Sequence, residues 1–295
     1  MDKKSTTSKI VAIVGPTAAG KSAWAETLQP IFKGEIISAD SRQVYRGMDI
    51  GTAKPTSSIQ KKHHYHLIDV LAPDQQYTLF DFLDQAAEAV QDIHSRHRLP
   101  LIVGGTGLYV EALLDGYKLS PVGPAKDTRQ ALEKESLASL QLIAERAHIL
   151  IPTSDQKNKR RLIRALERGS AAAPARQKTQ YDTLRIGVHV PKDILDKNIR
   201  RRVWRMFKEG LVDEVQELLS QYSPTAPGLK TIGYAEVINY IKGKGTLATT
   251  QEQIVTHTRQ YAKRQMTWFR RDKRIEWLDS VGAAEKRIAQ WLDSH

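Results

Sequence analysis

Eight residues, Gly15-Pro16-Thr17-Ala18-Ala19-Gly20-Lys21-Ser22, constrain this chain more than any others. They fit the phosphate-loop pattern of glycine, four residues, glycine, lysine and then serine or threonine. Their flanks fit as well. Ile10-Val11-Ala12-Ile13-Val14 is a short, apolar, β-branched run that reads as a buried strand, and Ser22 to Leu28 reads as helix. A strand, a glycine loop and a helix in that order make an anion site. Backbone N–H groups point inward, the helix N-terminus adds partial positive charge, and Lys21 adds a full one. The Ser22 hydroxyl is placed to hold a Mg²⁺ that also touches the phosphates. The loop alone leaves kinases, NTPases and pyrophosphate-handling transferases open.

Further apolar runs extend the strand reading. Glu35-Ile36-Ile37-Ser38 ends near Asp40, and Leu99-Pro100-Leu101-Ile102-Val103 runs into Gly104-Gly105-Thr106. Leu184 to Val190 and Arg274 to Leu278 follow later, with helical stretches such as Leu79 to His94 between them. This alternation predicts an α/β fold, a P-loop NTPase-like parallel sheet flanked by helices. Asp40 and Thr106 would then lie at the carboxyl ends of strands, where ligands bind in such sheets. The stretch 120–183 is charged, helix-rich and without strand signals, and Ser170 to Ala175 is a low-complexity loop. It reads as a smaller, all-helical insertion domain. Residues 1–119 and 184–295 form the catalytic core, whose C-terminal part is helical and basic.

The 295 residues carry 45 Lys and Arg against 33 Asp and Glu, a net charge of +12. That balance points to a polyanionic partner, with nucleic acid ahead of membrane; a merely basic enzyme is the plain alternative. There is no cysteine, hence no disulfide framework and no thiolate chemistry. No apolar stretch reaches membrane-spanning length, and the short polar N-terminus lacks the form of a signal peptide. A cytoplasmic monomer is expected. An NTPase would carry an apolar strand ending in a metal-binding Asp. The strand Leu101-Ile102-Val103 ends in Gly-Gly-Thr instead, while Ile36 to Asp40 could supply such a carboxylate. Spacing alone does not exclude a kinase or NTPase with RNA affinity.

Longer blocks bear on this choice. They are Ile37 to Tyr45, Asp49-Ile50-Gly51-Thr52-Ala53-Lys54-Pro55, Pro100 to Tyr109 and Arg164-Ala165-Leu166-Glu167. Gly210 to Val215, Thr231-Ile232-Gly233-Tyr234 and Ala262 to Arg270 continue the series. Together they resemble the tRNA dimethylallyltransferase (tRNA isopentenyltransferase) family, in order and over nearly the whole chain. The resemblance implies transfer of a dimethylallyl group from dimethylallyl pyrophosphate to the exocyclic amine of an adenosine 3′ to the anticodon of tRNA. The phosphate loop would then hold a leaving pyrophosphate together with Mg²⁺. By the same resemblance Asp40 is the general base, Thr106 lies near the reacting groups and Arg202 contacts pyrophosphate. Asp40 could instead support the metal. Arg200, Arg201 and Arg205 are expected on a solvated face.

The target base would have to be flipped out of its stack. The resemblance places Asp40, Ser41, Arg42, Gln43 and Thr106 against it. The remaining tRNA contacts it implies are Arg129, Arg160, Arg161, Arg164, Lys230, Gly233, Tyr234, Lys263, Arg264, Gln265, Thr267, Trp268 and Arg270. Arg160, Arg164 and Arg168 share a helical face by their four-residue spacing. From Arg259 to Arg274 there are seven Lys or Arg residues and one Asp, with Trp268 interleaved, which suits an RNA loop. Core packing is the other reading of Trp268. The family's Asn-Asp pair is replaced here by Lys157-Asn158. His63, His64 and His66 lack a carboxylate at metal-site spacing and read as structural or surface groups.

Overall fold

The computed structural model describes residues 8–117, 126–153, 155–169 and 181–294. The loop expected at Ser170 to Ala175, and the ends of the chain, lie outside them. By internal contacts the chain divides into one unit of residues 1–115 and 179–295 and a second of residues 116–178.

The larger unit is built on a sheet whose strands are all parallel. Its elements begin with β1 (Ser8–Val14), α1 (Lys21–Ile31), β2 (Gly34–Ser38), α2 (Ser57–His63) and β3 (Tyr65–His66). Next come α3 (Leu79–Ser95), β4 (Leu99–Gly104) and α4 (Gly107–Leu114). The helical unit supplies α5 (Lys126–Lys134), α6 (Leu137–Arg146) and α7 (Lys159–Arg168). The larger unit resumes with β5 (Tyr181–Val188), α8 (Lys192–Lys208), α9 (Leu211–Gln221), α10 (Tyr234–Ile241), α11 (Leu247–Phe269), β6 (Ile275–Leu278) and α12 (Val281–Asp293).

The six strands run in the order β3-β2-β4-β1-β5-β6. β1 therefore lies between β4 and β5, with Val14 opposite Gly104 and Gly187. The expected strand at Leu184 starts three residues earlier, because Tyr181 to Thr183 pair with Ser8 to Ile10. The two-residue strand β3 gave no sequence signal; it pairs with Ile36 and Ile37 at the sheet edge.

β1 is apolar throughout because both faces are covered. Ile10, Ala12 and Val14 pack with α3 and α4 through Phe82, Val90, Ile93, Val110 and Leu113. Val11 and Ile13 face the other way, onto Ala25 and Leu28 of α1 and Ala284, Ile288 and Trp291 of α12. A third core lies beyond the carboxyl ends of the strands. There α8 to α11 pack on Val44, Tyr45 and Met48 through Ile199, Val203, Leu211, Val215, Tyr234, Val237 and Ile254. This core brings the basic C-terminal helices against the phosphate-loop end of the sheet. The helical unit has its own small core of Leu140, Leu162 and Ile163.

The strand ends of β2 and β4 approach so closely that a Cβ at Gly104 would stand 2.1 Å from the Ala39 carbonyl oxygen. Gly104→Ala should therefore push the two strand ends apart and destabilise the protein by about 3 kcal/mol, the upper range for overpacking. A drop of several degrees in melting temperature by calorimetry checks this.

Candidate active site

Residues 15–22 turn from β1 into α1 with left-handed backbone at Ala18 (φ 63°) and Gly20 (φ 89°). Gly20 is the N-cap of α1 and tolerates that conformation without a Cβ penalty. The Lys21 ammonium donates to the Pro16 carbonyl at 2.8 Å, folding over its own loop. A cavity of about 410 Å³ opens beside it. Ala18, Gly20, Lys21, Ser22, Ala23 and Ala53 form one part of its lining, and Asn198, Arg201, Arg202 and Arg205 the rest. The last four are spaced i, i+3, i+4 and i+7 on α8, so a single helical face supplies them. The Asn198 amide donates to the Ala18 carbonyl at 3.3 Å and anchors that face to the loop.

The cations of this cavity are short of carboxylates. The Arg202 guanidinium donates to the Thr17 hydroxyl at 3.2 Å and the Thr52 carbonyl at 3.1 Å, both neutral. Arg205 has a loose pair with Glu209 at 3.6 Å. Burial, opposed by the Asp40 charge and aided by that of Arg202, lowers the Lys21 pKa to about 8. Burial also lowers the pKa of Arg202, with Arg205 adding repulsion and Asp40 opposing it. Crowded, desolvated cations of this kind bind anions strongly, because an anion relieves their mutual repulsion.

Across the loop stands a second cluster. The Arg42 N–H donates to Asp40 Oδ1 at 2.8 Å, in the turn that follows β2. The Ser41 N–H donates to Thr106 Oγ1 at 3.1 Å, and the Thr106 N–H to the Ala39 carbonyl at 3.2 Å. These bonds join the end of β2 to the Gly-Gly-Thr turn. Gln265 of α11 then joins that turn to the phosphate loop. Its Oε1 accepts the Thr17 N–H at 2.8 Å and its Nε2 donates to the Gly105 carbonyl at 2.9 Å. One turn earlier on α11 stands Tyr261, close to Thr106, Asp40 and Arg42. Burial, with help from the Asp40 charge, pushes the Tyr261 phenol up to about 12.

The loop over 45–54 is braced from behind. The Lys54 ammonium is buried and donates to the Tyr45 carbonyl at 2.8 Å and to Asp49 and Asp69 at 2.5 Å each. The Glu214 carboxylate accepts the N–H groups of Asp49, Ile50 and Gly51 at 3.0, 2.7 and 3.3 Å, and the Tyr234 hydroxyl at 2.5 Å. The Gln43 amide donates to the carbonyls of Thr52 and Ala53 at 3.4 and 3.3 Å, and its Oε1 accepts from Ser38 at 3.2 Å.

The family model described as IPP transferase matches residues 43–272. The chain is 40% identical over 285 residues to a tRNA dimethylallyltransferase 2 of Geotalea uraniireducens, covering 92% of both chains. It is 44% identical over 264 residues to a tRNA dimethylallyltransferase of Streptococcus pyogenes, covering 89% of this chain and 88% of the relative. The chain belongs to the IPP transferase family. The crystal structure of a tRNA isopentenylpyrophosphate transferase from Bacillus halodurans superposes with a TM-score of 0.75 at 36% identity, over 97% of each chain.

In this family member the structure gathers Lys21, Ser22 and Arg202 at one cavity and Asp40, Ser41 and Thr106 at the adjoining strand ends. Arg200, Arg201 and Arg205 are exposed, as expected; Arg201 and Arg205 also border the cavity beside the half-buried Arg202, while Arg200 pairs with Glu252 at 2.6 Å. The structure alters several other expectations drawn from the sequence. Tyr234 is 0% exposed and belongs to the core, so it braces the 49–51 backbone and offers RNA no surface. Gly233 is buried as well, and its N–H donates to Glu236 at 2.7 Å. Gln265 and Gln43 spend their amides on internal bonds and are struts, because each fills both its donor and acceptor roles inside the protein.

Lys230, Lys263, Arg264, Thr267 and Arg270 are exposed. Thr267 bonds its own helix at the Lys263 carbonyl, and Arg264 lies 5.8 Å from the Tyr261 ring. Trp268 packs partly buried against the cluster on that sheet face and against Gly107, with Arg271 5.9 Å over its ring. α11 ends at Phe269, so Arg271 reaches the tryptophan from beyond the helix. In the helical unit, Arg160, Arg161 and Arg164 are exposed on α7. Arg129 forms a two-bond pair with the Glu167 carboxylate at 2.7 and 3.0 Å, which commits it to holding α5 against α7. Asn198, Tyr261 and Lys54 were not singled out from the sequence. The i, i+3, i+4, i+7 pattern from Asn198 to Arg205 is the one signal that could have found the first.

The lowered Lys21 pKa has a measurable consequence. As pH rises through about 8 the ammonium loses its proton, and anion affinity falls with it. A bound anion favours the charged form and raises the pKa again. At pH 8, pyrophosphate binding should therefore take up protons, seen by titration calorimetry in two buffers of different ionisation heat. Lys21→Met should abolish the uptake and weaken binding about 30-fold, the worth of a roughly 2 kcal/mol charge-assisted hydrogen bond.

Proposed function

We propose that this protein transfers a dimethylallyl group from dimethylallyl pyrophosphate to the exocyclic N6 amine of the adenosine 3′-adjacent to the anticodon in tRNA, releasing pyrophosphate. One observation carries the reading. A cavity bordered by four cations adjoins the strand ends that carry Asp40 and Thr106, in a chain of the IPP transferase family.

The chemistry makes two demands, and the residues meet both. The allylic C–O bond breaks with carbocation character, and negative charge grows on the departing pyrophosphate. Lys21, Arg201, Arg202 and Arg205, which border the cavity, together with the loop amides supply donors for that charge. The adenine amine is a poor nucleophile because its lone pair is shared with the ring. Asp40 takes its proton as the C–N bond forms, which restores the lone pair.

Ser22 lines the cavity and offers one hydroxyl, and the described residues contain no cluster of three acidic or imidazole ligands. That donor set suits a Mg²⁺ held mainly by substrate phosphates and water. Ser22 would hold the ion, which when bound neutralises charge on the leaving pyrophosphate. The exposed Arg160 and Arg164 of α7, and Lys263, Arg264 and Arg270 on and just beyond α11, supply positive surface for the anticodon stem-loop. The target base is flipped out to reach Asp40.

Incubation with Mg²⁺, labelled dimethylallyl pyrophosphate and unmodified tRNA should place label in the tRNA. ATP hydrolysis without labelled tRNA would instead assign the site to a nucleotide-hydrolysing enzyme. Asp40→Asn should lower the transfer rate by about a hundredfold or more while leaving the tRNA Kd nearly unchanged. Arg164→Ala should weaken tRNA binding and reduce the slope of log K against log salt by about one unit. Filter binding across a salt series reads both changes.

A further inference from the structure

The β1–β4 ladder ends where Val14 stands opposite Gly104. Beyond that pair the two chains part, β1 into the phosphate loop and α1, β4 into the Gly-Gly-Thr turn and α4. Strand pairing therefore does not set the gap between the loop and the turn. α11 bridges it from outside the sheet. Gln265, only 6% exposed, accepts the Thr17 N–H through Oε1 at 2.8 Å and donates from Nε2 to the Gly105 carbonyl at 2.9 Å.

The turn is shaped for that amide. A Cβ on Gly105 would stand 2.1 Å from Gln265 Nε2, and its next nearest neighbours would lie at 3.3 Å or more. Three residues further along α11, Trp268 meets Gly107, where a Cβ would stand 2.3 Å from the indole ring. The two glycines that flank Thr106 are thus the places where α11 seats on the turn. On the loop side Thr17 is fixed twice, its N–H by Gln265 and its hydroxyl by Arg202 at 3.2 Å. One buried amide therefore stands between a residue that touches a cavity cation and the turn that carries Thr106.

We infer that Gln265 is a positioning residue for the transfer, fixing the gap between the loop that holds the leaving pyrophosphate and the turn that carries Thr106 beside the acceptor amine. This rests on the prenyl-transfer reading above. In that step the allylic C–O bond breaks and its electron pair goes to the pyrophosphate oxygen. The adenine N6 lone pair forms the C–N bond, and the N–H proton passes to Asp40. Gln265 touches none of these atoms. It acts through the distance the allylic carbon covers between the leaving oxygen and the attacking nitrogen. A misplacement of about 1 Å there costs on the order of a hundredfold in rate.

Two substitutions 160 residues apart break the same contact, so a double-mutant cycle tests the inference. Gln265→Ala removes the amide. Gly105→Ala keeps Gln265 but drives a methyl group into its Nε2. Each is read as single-turnover transfer from dimethylallyl pyrophosphate to an unmodified anticodon stem-loop, below the melting temperature of the variant. Gln265→Ala should slow transfer about a hundredfold. Gly105→Ala should slow it about tenfold, the worth of one neutral hydrogen bond, since the bond to Thr17 survives. In both, the KM for dimethylallyl pyrophosphate and the RNA Kd should stay near wild-type values, because the cavity cations and the exposed basic residues are untouched. The double variant should be no slower than Gln265→Ala alone, since the methyl group then enters vacated space. Independent, multiplying losses would overturn the inference. So would a raised KM or RNA Kd with an unchanged rate, or a lowered melting temperature with wild-type transfer. Wild-type protein that labels no RNA would overturn the prenyl-transfer reading itself, and the inference with it.

Discussion

The side-chain amide of Gln265 holds the site together. It accepts from the phosphate loop at Thr17 and donates to the turn after β4 at Gly105, from a helix 248 residues further along the chain than Thr17. Buried, with both its oxygen and its nitrogen engaged, such an amide is worth more than its two bonds, because losing either leaves a polar atom stranded. It ties together the loop that faces the anion cavity, the turn that carries Thr106 and the helix that carries Tyr261. The third hydrophobic core, formed by α8 to α11, exists to bring that helix and the arginine face of α8 to the strand ends.

The cations sort by what neutralises them. Lys54 is buried between two carboxylates and a carbonyl, and its charge is spent on keeping the 45–54 loop in place. Glu35 is likewise surrounded by Arg96, Arg98 and His66 at the opposite, amino end of the strands. Arg185 is held by Asp115 and Asp272, and Arg274 shares both carboxylates. Lys21 and Arg202 differ from all of these. Their nearest acceptors are a carbonyl, a hydroxyl and another carbonyl, and burial lowers the pKa of both. Positive charge held without a carboxylate is costly in an empty site and favourable once an anion arrives. That contrast, rather than the count of basic residues, separates the functional cations from the structural ones.

Much of the larger unit was legible in its sequence because the signals are local. A β-branched run before a glycine loop specifies strand, turn and helix within fifteen residues. The runs at Leu99 and Glu35 do the same for β4 and β2. The errors share one cause. Tyr234, Gly233, Gln43 and Gln265 are polar or small residues in motif blocks, and a motif does not say which way a side chain points. Each turned out to face protein. Arg201 and Arg205 are exposed as expected, but the cluster Arg200, Arg201, Arg202 and Arg205 hides which of them share the face of Asn198 and so border the cavity.

The sequence by itself determined the anion loop, the parallel sheet and the basic character of the C-terminal helices, because periodicity and glycine placement act over a few residues. Only the tertiary structure decided that α8 and α11 converge on the loop from opposite ends of the C-terminal segment. It alone placed Gln265 between the phosphate loop and the Gly-Gly-Thr turn and three arginines around one cavity. Those juxtapositions depend on packing between segments some 150 to 250 residues apart, and no local pattern encodes which buried amide will close such a distance.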